Sequence, residues 1–196
     1  MIETDIPGYT YGTDAVPRSP VSLDELQLLQ TTLLLGEDDL AALRRSGDLL
    51  APRVEDILDV WYGFVGANPH LLTAFTGPDG QPNQAYLAAV RRRFGRWILD
   101  TARAEFDQAW LDYQYEIGIR HTRRGKNRTD GVQAADQIPL RYVLALLIPI
   151  TTTLTPFLAE GGAKPEEVEA MHQAWVKAVL LQVILWSQPY VREGEF

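Results

Sequence analysis

The chain has 196 residues, 46% of them hydrophobic, a formal net charge of −8 and no cysteine. That length suits one domain able to bury a core without staples. The lack of cysteine excludes a disulfide framework and thiolate metal or redox sites, and the net acidity argues against a nucleic-acid partner. In chain order, Pro7, Gly8, Gly12, Pro17 and Pro20 predict an extended, irregular arm over residues 1–21. Its opening, MIETDIPGYTYG, lacks the basic-then-apolar pattern of a secretory leader, and a cytoplasmic location is expected.

Ser22 with Glu25 three residues later forms a capping-box signature and opens a first helix, with Leu23, Leu26, Leu29 and Leu33 on one apolar face and Gly36 as its stop. A second helix is predicted over about 37–50. Pro52 suits the first turn of a third, whose face carries Val54, Ile57, Leu58, Trp61, Tyr62 and Val65. TGPDGQPN reads as a loop. Asn83 caps a fourth helix lined by Leu87, Val90, Phe94, Trp97 and Ile98, and Asp107 caps a fifth ending near Arg123. Pro139 opens a sixth, kinked by Pro149, and Pro165 opens a seventh with Glu166 and Glu167 at its positive end.

No useful length of chain alternates with period two, so the fold class is all-α. The longest uncharged run, Tyr142 to Ala159, holds Pro149, Pro156 and four threonines; it is expected to be a buried helix and not a membrane span. The last two helices are apolar around most of their circumference. They are expected either to pair centrally in the core or to face a second copy in a twofold dimer through about 139–160 and 165–187, and the second is preferred.

Three histidines, His70, His121 and His172, are too few and too scattered for a structural zinc site, and the Glu169–His172 pair lacks the second copy a carboxylate-bridged site needs. A haem differs, because the porphyrin brings four nitrogens and asks the protein for one axial side chain. His121 falls in line on its helix with Trp110, Gln114 and Ile117. Gly118 would let a flat ring approach the backbone, and Arg120, Arg123, Arg124, Lys126 and Arg128 stand nearby for the propionates. A lone helical histidine is more often merely packed, and His172, with Trp175, Val176 and Val179, fits an apolar face equally; the pattern leaves both open. Of the run Arg91–Arg93, helical geometry lets at most one face inward. No nucleophile elbow or phosphate loop is present.

IPGYTYG, ILDVWYGFVGANPHLL, YLAAVRRRFGRWILDT, AWLDYQYEIGIRH and PEEVEAMHQAW…LQVILWSQPY closely resemble protoglobins, the single-domain globins of the globin-coupled sensor lineage, over nearly the whole chain. The resemblance implies an expanded globin fold with an additional N-terminal helix and an N-terminal extension: a single globin-like haem domain over 1–196, with the arm at 1–21 and the helical body at 22–196. It implies haem b (iron protoporphyrin IX) held by His121 as proximal ligand, with the arm covering haem and propionates. It places Trp61, Tyr62 and Phe94 on the distal side, Tyr62 being the polar group nearest a bound diatomic. It gives Arg93, Ile117, Val143, Leu146 and Ile150 as further haem contacts. Leu146 departs from the aromatic expected there, and Gly125 from the usual turn before the propionate region.

The implied function is reversible binding of O2, CO and NO as a sensor, carrier or scavenger, in a homodimer with no membrane and no nucleic-acid partner. The alternative is a haem enzyme on the same iron, in NO, nitrite or peroxide chemistry or promiscuous carbene transfer. The helix carrying Trp61 and Tyr62 shows no distal histidine–arginine pair, which leads away from an efficient peroxidase. A haem-free dimerising helical module is the third reading.

Overall fold

The computed structural model describes residues 6–196, so the first five residues of the arm, and the part of the leader argument resting on them, lie outside the described residues. About 67% of the chain is helical, with no sheet among the described residues; an isolated bridge, Thr76 to Pro82, closes the TGPDGQPN loop. The elements are α1 (Leu23–Thr32), α2 (Glu37–Leu50), α3 (Val54–Ala67), α4 (Pro69–Leu72), α5 (Gln84–Arg103), α6 (Gln108–His121), α7 (Leu140–Ala145), α8 (Leu147–Glu160) and α9 (Pro165–Ser187).

Local chemistry sets most of these boundaries. The Ser22 hydroxyl accepts from the Glu25 amide while the Glu25 carboxylate accepts from the Ser22 amide at 2.7 Å, the reciprocal box expected at α1. Asn83 and Asp107 cap α5 and α6 by accepting from the Tyr86 and Trp110 amides. Pro52 lies in a 3₁₀ turn, Ala51–Arg53, and α3 begins only at Val54.

Three expectations are corrected. The sixth helix is not merely kinked but divided at Leu146, so that α7 ends at Ala145. Pro149 has no N–H for the Ala145 carbonyl, and its ring crowds that carbonyl. The apolar Leu140–Glu160 segment, of mean hydropathy 1.7 in its most apolar window, has only 28% of that window buried, with Leu144 and Ile148 exposed on its outer side. Leu23, assigned to the apolar face of α1, is exposed, because only Leu26 on that helix reaches full burial.

α9 is the central strut, packed against α8, α2 and α6. Around it lie Leu43 and Leu50 of α2, Ile57 and Leu58 of α3, Trp97 and Ile98 of α5, and Leu154 and Leu158 of α8. Three of the buried indoles are hydrogen-bonded: Trp97 donates to Gln182 at 2.6 Å, Trp175 to Ser46 at 2.8 Å and Trp186 to Gln114 at 2.9 Å. A second cluster joins Val21, Leu26 and Leu35 to Trp110, Leu181 and Leu185, seating α1 across α6 and α9.

The arm is tied down by side chains of the body. Tyr9 donates to Asp100 at 2.6 Å, Arg120 donates to the Gly8 carbonyl at 2.6 Å, and the Ser19 amide donates to Asp112 at 2.8 Å. Tyr9 and Tyr11 both meet the Tyr113 ring edge-on.

Candidate functional site

A cavity of about 550 Å³ opens between α3, α4, α5, α6, α7 and the end of α9, within the range of pockets that hold small-molecule cofactors. Trp61, Tyr62, Arg93, Phe94, Ile117, His121, Val143, Leu146 and Ile150 all line it. His70 is exposed and also lines it, its ring 5.3 Å from that of Tyr142. His172 lies on the N-terminal half of α9 and is not among the lining residues. The two histidines that pattern left equivalent therefore differ in place.

His121 is the last residue of α6. Its Nδ1 lies 2.7 Å from the Ile117 carbonyl, one turn back. A carbonyl only accepts, so Nδ1 carries the proton and Nε2 keeps a lone pair. A hydrogen bond from the other ring nitrogen to a backbone carbonyl orients an imidazole that ligates a metal. Trp186 stacks on the ring at 5.6 Å between centroids and 18° between planes. Burial, together with the nearby Lys126 and Arg120 charges, lowers the His121 pKa and holds the ring neutral, the form that ligates. Among the described residues no group of three or more His, Cys, Asp or Glu side chains is placed to hold a metal ion. The donor set fits a metal that brings a macrocycle with it.

A further apolar wall lines the cavity and is joined to Trp186 through Phe94 and Trp97. Trp61, Val65 and Leu71 form its buried part, with Tyr62, Phe75, Phe94, Tyr142, Leu146 and Ile150 against them. The Trp61 and Phe94 rings meet at 5.6 Å, and Phe94 stacks on Trp97 at 5.1 Å. Tyr62 and Tyr142 bring hydroxyls to this wall, and Tyr62 lies on α3 beside Trp61. Among the described residues its hydroxyl has no hydrogen-bond partner, and desolvation raises its pKa, so it stays a protonated donor.

The cavity has one polar edge. Arg93 is the member of its arginine run that faces inward: it grips Asp130 at 2.6 and 3.0 Å and donates to the Pro7 carbonyl at 2.8 Å. Arg91 instead pairs with Glu55 and Asp59 across α3. Of the cations after α6, Arg120 and Lys126 line the cavity; Arg123, Arg124 and Arg128 are exposed outside it.

Gly118 is corrected. A Cβ there would meet the Trp186 Cα at 3.0 Å and its carbonyl at 3.1 Å, and the residue is not part of the lining. The glycine admits the end of α9, not a flat ligand. Gly125 answers to a close approach too, a Cβ lying 2.8 Å from the Ile119 carbonyl. Sequence reasoning missed Trp186, Phe75 and Tyr86 as lining residues; an apolar residue beyond the motif carries no mark of which cavity it borders.

The site thus offers one oriented imidazole with a free lone pair, aromatic walls and a cationic edge, the features a haem requires. Among curated proteins none matches the chain. Residues 22–196 match the family model described as protoglobin, and the chain belongs to the protoglobin family, gas-binding haem globins of all-α fold.

Proposed function

We propose that this cavity holds haem b through His121 and binds O2, CO and NO reversibly at the coordination position away from that residue. The observation that carries the reading is the His121 Nδ1 contact to Ile117 inside the cavity, which leaves Nε2 as the donor. When bound, the haem iron supplies the site at which a diatomic coordinates. Trp61, Phe94, Leu146 and Ile150 keep the neighbouring space apolar and exclude water. The Tyr62 hydroxyl donates one hydrogen bond to a polar diatomic, about 1 kcal/mol net and more when the acceptor carries charge. Residues 6–21 serve as a cover, latched by Arg93 and Arg120. The same iron would also serve a haem enzyme in NO, nitrite or peroxide chemistry or in carbene transfer; no residue pair of the cavity favours that alternative.

The reading extends to a homodimer through α7–α8 and α9. Leu144 and Ile148 are exposed on one, and His172, Val176, Leu180 and Ile184 form a half-buried stripe at four-residue spacing on the other. The test of function is the optical spectrum of the purified ferrous protein with and without CO. A Soret band that shifts sharply on CO addition is expected; a protein that takes up no haem refutes the reading.

A further inference from the structure

Three cationic side chains of Arg or Lys type line the cavity, and two already have carboxylate partners. Arg93 is held by Asp130, and Arg120 by Glu116 at 2.7 Å, while both also donate to the arm. Lys126 differs. It is only 6% exposed, and its Nζ donates to the Ala74 carbonyl at 2.9 Å and the Tyr86 hydroxyl at 2.7 Å, both uncharged. Among the described residues no carboxylate lies within ion-pair distance of it. The ring faces of Tyr86 and Phe75, 4.6 and 5.9 Å from Nζ, give it further company but no counter-charge. An ammonium has three donors, so one remains without a protein partner among the described residues. Burial pushes the Lys126 ammonium down to about 8, with Asp130 opposing at longer range. A buried cation without a counter-ion is costly, and an enclosed anion removes that cost.

We propose that Lys126 is the residue that recognises a carboxylate on the cavity's ligand, its unused donor pairing with an acidic side group of an otherwise apolar, plate-like molecule. The inference rests on the haem reading, in which that group is a propionate. It divides the labour of the basic residues: Arg93 and Arg120 hold the arm, Lys126 holds the ligand, and Arg123, Arg124 and Arg128 do neither.

The experiment titrates the full-length apoprotein with iron protoporphyrin IX and with its dimethyl ester, in which both carboxylates are capped. Wild type, Lys126→Met, Lys126→Gln and Arg93→Gln are compared by binding constant, with helicity checked for each. Wild type is expected to prefer the free acid on the order of tenfold, the scale of one charge-assisted hydrogen bond. That preference should fall toward unity in both Lys126 variants, their affinity for the ester staying near wild type, and should survive in Arg93→Gln. A full preference in either folded Lys126 variant, or its loss in Arg93→Gln alone, overturns the proposal while leaving the haem reading intact. A wild-type protein that takes up neither compound overturns both.

Discussion

The imidazole of His121 is held by two neighbours of different kinds. The Ile117 carbonyl, one helical turn back, fixes which nitrogen carries the proton; Trp186, far along the chain, fixes the plane of the ring. Trp186 is anchored in turn by its indole donor to Gln114. Trp186→Phe leaves the Gln114 oxygen buried without that donor, and a loss of about 1–3 kcal/mol is expected in denaturant unfolding at constant slope. No measurable loss would place the anchoring elsewhere. Lys126 gives a pH prediction of the same sign as a carboxylate with a depressed pKa, but in the alkaline range. Its pKa is about 8 in the folded apoprotein and about 10.4 when unfolded, so the unfolded chain binds more protons between those values. Apoprotein stability should rise as pH rises from about 8 toward 10, and Lys126→Met should flatten the rise. An unchanged slope in that variant would mean that the ammonium is solvated.

At the scale of elements, α6 and α9 meet at a glycine. Gly118→Ala gains about 1 kcal/mol of intrinsic helix propensity, but the new Cβ meets the Trp186 backbone, which cannot swing aside as a side chain can. Overpacking of about 1–3 kcal/mol should win, giving a net loss in thermal or urea unfolding. A stabilised Gly118→Ala would show that the two helices slide apart freely. The starts of α1, α5 and α6 were legible because Ser22, Asn83 and Asp107 each act on the amide three residues away. The Leu146 division was half legible: Pro149 signalled a disturbance, but whether a helix bends or parts there depends on its packing neighbours. Gly118 shows the limit from the other side, since a glycine announces a close approach without naming what approaches. The Trp186–His121 stack and the Arg93–Asp130 pair join residues far apart in sequence and had no local signal.

Over the whole molecule, the apolar surface is unevenly placed. α9 is sheathed on its inner side by α2, α6 and α8, yet Leu144, Ile148 and the α9 stripe face outward. The wild-type chain is expected to sediment as a dimer at micromolar concentration, and Ile148→Glu, at an exposed position outside the cavity lining, to sediment as a monomer with its helicity retained. A wild-type monomer across that range would assign the exposed leucine and isoleucine to some other contact.

In the proposed haem site one imidazole, at the end of α6, carries the iron. The direct measurement is the optical spectrum of haem-loaded His121→Gly, ferrous and with CO, before and after adding free imidazole. The wild-type spectra should be lost in the variant and return with imidazole, while His70→Ala and His172→Ala keep them throughout. Wild-type spectra in His121→Gly without any added imidazole would mean that another side chain holds the iron.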